Sequence, residues 1–285
     1  MQRLRRLLRQ RSVRRADRAF VVEGVKVVEA ALLAGAPLEA LYHAPEAAGS
    51  PAAAALVERA LAVGARVFPL QRGVMERVAD TVTPQPVCAV VGFVDVPLEE
   101  VLGASPLVVC VDVRDPGNLG AIVRSAAAAG AGAVVCCEGS ADVYNPKVVR
   151  ASAGALFHLP VVTAGSGAEV LGRLGAAGLR RVATVARDGE DYATADLSGP
   201  LAIVLGNEAH GLDPSLGGAL DQAVTVPMSG PAESLNVAMT ATVLCFEVAR
   251  RARAGGGSGA GRAAESTTSR GPYDEGRDER TLPID

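Results

Sequence analysis

No run of the chain reaches the roughly 20 consecutive apolar residues of a membrane helix, and the arginine-rich start lacks the apolar stretch of a signal peptide. Membrane insertion and export are therefore not expected. The five cysteines, Cys88, Cys110, Cys136, Cys137 and Cys245, show no paired CxxC spacing. Four lie in apolar strand-like runs and Cys245 in an apolar helix, which suits a reduced cytoplasmic thiol set rather than a disulfide framework or a zinc site. No metal is expected. Lysine is nearly absent, with only Lys26 and Lys147, so arginine carries the basic charge. No GxGxxG follows the first strand of either half, and Asp115-Pro-Gly-Asn-Leu-Gly120 departs from it, which argues against a nicotinamide dehydrogenase.

What is present suits two ordinary globular domains: 285 residues, 49% hydrophobic, net charge -3. The charge is uneven. Residues 1–17 form a basic segment, and Arg3, Arg5, Arg6, Arg9, Arg11, Arg14, Arg15 and Arg18 face Asp17 alone. Such density suits phosphate backbones through counterion release, and equally suits a solvated helix in an arginine-favouring composition. Residues 18–96 alternate strand-like runs (Ala19–Glu23, Leu38–His43, Arg66–Leu70, Val87–Val94) with helix-like ones (Val25–Leu33, Ala52–Val63, Gly73–Ala79), the pattern of a small α/β domain. Phe20 and Tyr42 there read as core residues. Residues 97–106 read as a linker with one short helix.

Residues 107–253 resume the alternation. Strands are predicted near Leu107–Val111, Ala133–Cys137, Leu159–Val162, Arg181–Val185, Leu201–Leu205 and Ala223–Val226, with helices near Asn118–Ala129, Pro146–Leu156, Ala168–Ala177 and Ser234–Ala252. Continuous apolar strands joined by helical crossovers imply a mainly parallel sheet covered on both faces. The tail, residues 254–285, is Gly-, Ser- and charge-rich with few large apolar residues, and disorder is expected.

Three segments of this second half place glycine, asparagine and one polar side chain where an apolar strand ends, which is where α/β sheets bind ligands. In Asp115-Pro-Gly-Asn-Leu-Gly-Ala-Ile-Val-Arg124, Asn118 is expected to open and cap a helix. Arg124 lies about 140° from the apolar stripe that begins at Leu119, and alone it reads as a solvated helix residue. In Val204-Leu-Gly-Asn-Glu-Ala-His-Gly-Leu212, Gly206 leaves a bare strand end for a flat base to approach. Glu208 there suits a turn cap or a partner for Arg124, and His210 a structural turn. In Val226-Pro-Met-Ser-Gly-Pro-Ala-Glu-Ser-Leu-Asn-Val237, Ser234 is the natural N-cap, while Asn236 is a weak helix former that capping explains less well. Together the three point to a nucleotide-cofactor enzyme.

These segments, in this order, resemble the three signature motifs of the SpoU or TrmH family of RNA 2'-O-ribose methyltransferases, over Leu107 to about Arg250. Arg18-Ala-Phe-Val-Val-Glu-Gly-Val-Lys-Val-Val-Glu-Ala30 resembles the opening of the substrate-binding domain that many members carry. The resemblance implies an α/β fold of the SPOUT type, a parallel sheet ending in a trefoil knot behind a smaller α/β RNA-binding domain. Strand counting alone gives a plain doubly wound sheet, because ordinary connections do not thread. It further implies S-adenosyl-L-methionine as cofactor, a homodimer through the knotted domain, and ribosomal or transfer RNA as substrate. By carry-over, Thr184, Gly206, Val226 and Leu235 line the cofactor pocket, and Asn118, Arg124, Glu208, Ser234 and Asn236 form the reaction centre, with Arg124 reaching the other subunit's cofactor.

Methyl transfer from a sulfonium to a ribose hydroxyl needs in-line approach and loss of one proton, but no metal, so positioning supplies much of the rate. Val204, Leu205, Val226 and Leu235 suit a dry wall for a reaction in which charge is annihilated. Arg124 suits a phosphate holder and oxyanion stabiliser. The alternative is an RNA-binding protein of the same fold without catalysis; the presence of all five reaction-centre residues favours the enzyme.

Overall fold

A computed structural model describes residues 1–78 and 85–256, so the tail beyond 256 and the end of the helix expected at Gly73–Ala79 lie outside the described residues. The chain opens with helices α1 (Gln2–Arg9) and α2 (Arg11–Asp17), divided at Gln10, whose backbone is extended. They are not a free arm. Leu4, Leu7 and Leu8 fall at helical spacing on one face and are buried, while most of the arginines project outward.

The first sheet has the order β1-β4-β2-β3, from β1 (Ala19–Glu23), β2 (Leu38–His43), β3 (Arg66–Pro69) and β4 (Val87–Gly92). It is mixed: β4 runs antiparallel to β1 and β2, and β3 parallel to β2. Because strand side chains alternate, Ala19, Val21, Cys88 and Val90 face α1, while Phe20, Val22, Ala89 and Val91 face helices α3 (Val25–Leu33) and α4 (Pro51–Ala62). Helix α5 (Val74–Val78) adds Met75 to the α1 side.

The second sheet contains β5 (Leu107–Cys110), β6 (Ala133–Cys136), β7 (Val161–Thr163), β8 (Arg180–Thr184), β9 (Glu190–Asp191), β10 (Leu201–Leu205) and β11 (Gln222–Thr225), in the order β7-β6-β5-β10-β8-β11-β9. All its pairings are parallel. Val108, Cys110, Val134, Ile203 and Leu205 point to the face covered by α6 (Pro116–Ala129) and α9 (Val237–Gly256); Val109, Val135, Ala202 and Val204 point to α8 (Gly167–Ala176). Helix α7 (Pro146–Ser152) is shorter than expected, because Ala153 and Gly154 both take left-handed backbone angles before a short 3-10 turn at Ala155–Phe157. Gly120 has a packing reason: a Cβ there would sit 2.5 Å from the Ala151 Cβ and 2.6 Å from the Val148 carbonyl, so α6 crosses α7 almost backbone to backbone.

The two domains share one core cluster. Phe20, buried as expected, meets Tyr144 with ring centroids 4.6 Å apart, and Phe93 stacks on Tyr144 at 3.8 Å. The Tyr144 hydroxyl accepts hydrogen bonds from the Val94 and Asp95 amides, 2.9 and 2.7 Å, and donates to Asp95 Oδ1 at 2.9 Å, which fastens the linker. Arg14 belongs to this junction. It is 3% exposed, pairs with Asp142 at 2.6 Å and donates to the Leu7 and Leu8 carbonyls. That one guanidinium of the basic segment is structural.

Candidate active site

Strand order fixes where ligands bind. From β5 the chain winds outward through β6 and β7, then returns to build β8, β10 and β11 on the other side, so the order reverses between β5 and β10. Parallel sheets open a crevice at the carboxyl ends of the strands flanking such a reversal. The loop after β5 carries the first motif, the loop after β10 the second, and the loop between β11 and α9 the third.

Glu208 ties the first two together. Its Oε2 accepts from the Arg114 amide at 3.2 Å, and its Oε1 accepts from the Asp115 amide at 3.1 Å and from Asn118 Nδ2 at 3.0 Å. Desolvation alone raises this carboxyl's pKa, but the bonds from Asn118 and from the peptide N–H groups outweigh it and hold the group below its ordinary value. Asn118 then reaches the third motif, because its Oδ1 accepts from Asn236 Nδ2 at 2.9 Å. Asn236 Oδ1 accepts from the Ala238 amide at 2.9 Å, and its carbonyl accepts from the Thr240 amide. Both amide orientations follow from this chain, since each carbonyl oxygen faces a donor and each NH2 an acceptor.

Three expectations change. Asn118 does not cap α6: the helix begins two residues earlier, and Asp115 Oδ1 accepts the Asn118 amide at 2.8 Å. Ser234 does not cap α9; Asn236 does, and Ser234 lies exposed two residues before it. Glu208 pairs with the first-motif backbone and Asn118 rather than with Arg124. Arg124 is exposed on α6 and has no hydrogen-bond or ion-pair partner among the described residues.

Thr184, Gly206 and Val226 follow or end the neighbouring strands β8, β10 and β11, so they line adjacent strand ends. The Thr184 hydroxyl donates to the Val204 carbonyl at 3.1 Å and is occupied within the sheet. Gly206 is buried, and a Cβ on it would lie 2.4 Å from the Gly211 carbonyl carbon and 2.5 Å from the Leu212 nitrogen. Its bare Cα lets the turn at Gly211 and Leu212 pack directly against the strand end. Val226 and Leu235 are half-buried. Among the described residues, the backbone of 226–235 forms no hydrogen bond with the rest of the chain, which leaves its peptide groups for a ligand. A groove there runs between Ala186, Arg187, Val226, Met228 and Glu233. Apolar half-buried side chains beside unspent peptide donors and acceptors fit an adenosine-bearing cofactor better than a metal, and no metal-binding cluster of His, Cys, Asp or Glu exists among the described residues.

Two further residues shape the site. Asp112, in left-handed backbone at φ 57°, accepts from Arg114 Nε at 2.8 Å and from Asn207 Nδ2 at 3.1 Å; Asn207 Oδ1 accepts from the Ala209 and His210 amides. They set the turns that deliver Asp115 and Glu208. Their signal in the sequence was a short polar residue directly after each apolar strand, the place where an Asx turn forms.

A doubly wound sheet with three loops cross-tied at its switch point defines an α/β core with a candidate ligand-binding crevice and an accessory domain. Comparison with known proteins narrows this. Residues 105–246 match the SpoU rRNA Methylase family, and residues 2–89 match the MRM3-like substrate binding domain. The Bacillus subtilis protein named 23S rRNA (guanosine(2553)-2'-O)-methyltransferase RlmP is 33% identical over 242 residues, covering 85% of this chain and 92% of that one. The SpoU methyltransferase AviRb from Streptomyces viridochromogenes, crystallised with AdoMet, superposes with a TM-score of 0.78 at 30% identity, covering 89% of this chain and 98% of that one. An AdoMet-bound rRNA methyltransferase from Sinorhizobium meliloti gives 0.78 at 30% identity, over 88% and 94%. The chain belongs to the SpoU rRNA methylase family.

Proposed function

We propose that this protein transfers a methyl group from S-adenosylmethionine to a ribose 2'-hydroxyl of ribosomal RNA. The observation that carries the reading is the Glu208–Asn118–Asn236 chain, which ties the three family motifs into one crevice at the switch point. When bound, S-adenosylmethionine supplies an electrophilic methyl group on a cationic sulfur. Val226 and Leu235 would wall its pocket and the peptide groups near Gly206 and across 226–235 would hold its polar edges, beside Thr184, whose hydroxyl donates to the Val204 carbonyl.

Asn118, Glu208 and Asn236 hold the loops in register, because most of their polar atoms are spent on one another and on nearby amides. Glu208 stays a carboxylate acceptor under neutral conditions and does not serve as the proton carrier. Arg124 steadies the RNA phosphate and the hydroxyl oxygen as it loses its proton, since a guanidinium offers five donors and no acceptor. Ser234, exposed within the third motif, would be available to the ribose.

Among the described residues the Arg124 side chain has no partner, and next to it α6 and α9 lie side by side, joined by Ser125 and Thr242 at 2.7 Å. On α9, Met239 and Phe246 are 59% and 43% exposed, two turns apart on one stripe. These features support a homodimer through α6 and α9 that brings Arg124 to the partner's cofactor. A trefoil knot in the second domain belongs to the same reading, supported by the family match over residues 105–246. So does a cytoplasmic location, in keeping with five free, buried cysteines.

The test is transfer of tritiated methyl from S-adenosylmethionine to 23S ribosomal RNA. Wild-type protein is expected to label it and Arg124→Ala to lose the label; equal labelling by both removes Arg124 from the reaction centre, and none by wild type removes the reading.

A further inference from the structure

The chain has five phenylalanines, four tyrosines and no tryptophan. Phe20, Phe93, Tyr144 and Phe157 are committed to the domain junction. Among the described residues one other pair stacks, Tyr42 half-buried against the α1-side core and Phe68 exposed. Tyr42 on β2 and Phe68 on β3 are register partners with ring centroids 5.2 Å apart at 21°, and Phe68 is 39% exposed.

Strand β3 is the edge of the first sheet, so among the described residues no further strand covers that side. Arg66, two residues before Phe68, projects from the same face. It is exposed and has no ion-pair partner among the described residues. Arg3, paired with Glu39 and Asp17, stands with Arg66 within electrostatic reach of Tyr42. The exposed ring offers a flat apolar face at the sheet edge, and the cation beside it favours a negatively charged visitor. Single-stranded RNA combines a π-faced base with an adjoining phosphate, and sheet-borne aromatics flanked by arginine bind it by stacking.

We propose that Tyr42 and Phe68 form a stacking platform for an unpaired base of the RNA substrate, with Arg66 on the adjoining phosphate. This deepens the methyltransferase reading and rests on it. The platform reads an unpaired nucleotide outside the crevice and so contributes to which site is presented for methylation.

Binding of a fluorescent oligouridylate of about ten nucleotides to the full-length protein tests it. Phe68→Ala is expected to weaken binding about tenfold with the salt slope unchanged, whereas Arg66→Gln makes the slope shallower by about 0.7. Phe68→Trp keeps the ring and installs the chain's sole tryptophan; its emission is expected to be quenched by oligouridylate and not by an abasic ribose-phosphate oligomer. Unchanged affinity in Phe68→Ala, or equal quenching by the abasic oligomer, overturns the platform, and leaves a protein partner for that face. Methyl transfer by the wild type to 23S ribosomal RNA is scored in parallel. Transfer with no effect of Phe68→Ala on binding defeats the platform alone, while loss of binding without any wild-type transfer defeats the parent reading alone.

Discussion

Replacing Tyr144 by phenylalanine removes one oxygen and leaves everything else in place. The ring stays stacked on Phe93 and against Phe20. Lost are two bonds from the Val94 and Asp95 amides and one to the Asp95 carboxylate. Asp95 keeps Arg18 and Thr163, so the carboxylate is not orphaned. The two amides are, and a buried peptide donor without a partner costs about 1–3 kcal/mol. Because the site is only partly buried, the expected loss is about 2–4 kcal/mol, a large share of the roughly 5–15 kcal/mol that holds a domain folded. Urea titration of wild type and Tyr144→Phe at neutral pH reads it as a fall in midpoint. Desolvation, with Asp95 adding to it, holds the hydroxyl above its ordinary pKa, so the loss is expected to be constant into mild alkali. Methyl transfer to ribosomal RNA is expected to show a raised KM with kcat less affected, as the first domain loosens from the crevice. A loss below about 0.5 kcal/mol refutes the argument that this hydroxyl fastens the linker.

Glu208→Gln keeps one carbonyl oxygen and turns an NH2 toward the Arg114 or Asp115 amide, so a fall in S-adenosylmethionine affinity of about tenfold by calorimetry is expected, from the loss of roughly one charge-assisted bond; unchanged affinity separates the carboxylate from the pocket. Met239→Glu with Phe246→Glu is expected to convert a dimer to a monomer in light scattering and to lower transfer, and a monomeric wild type contradicts the proposed assembly. Glu247, held down to about 2 by Arg250 and Arg251, stabilises the last helix above the ordinary carboxylate pKa and ceases to do so as pH falls toward 2. The melting-temperature gap between wild type and Glu247→Gln is therefore expected at pH 7 and to shrink toward pH 2.5; a gap that grows on acidification contradicts the sign.

Much of the fold was legible because apolar runs end at glycine or proline. Ala19–Glu23, Val25–Leu33, Leu38–His43 and Leu201–Leu205 fall where the pattern places them. Strand β9 was not, since two polar residues carry no period, and neither was the break at Gln10, which lies inside an unbroken helical composition. The basic segment shows what composition hides: its arginines dominate the count, yet its leucines seat it in a core and Arg14 is buried against Asp142. In the site, residue types at strand ends were readable, but partners were not. Glu208 and Asn118 are 90 positions apart, and only the strand order brings them together. Helix starts were misplaced for a local reason: Asp115 before proline and Asn236 before valine outcompete the neighbours that looked like caps.

The chemistry of the product decides the central claim, because a methylated 2'-oxygen cannot attack the adjoining phosphate and the bond survives alkali. Ribosomal RNA labelled by the wild-type protein with tritiated S-adenosylmethionine is expected, after complete alkaline hydrolysis, to yield its tritium in a dinucleotide. Tritium recovered in a mononucleotide, which places the methyl group on a base, contradicts the account.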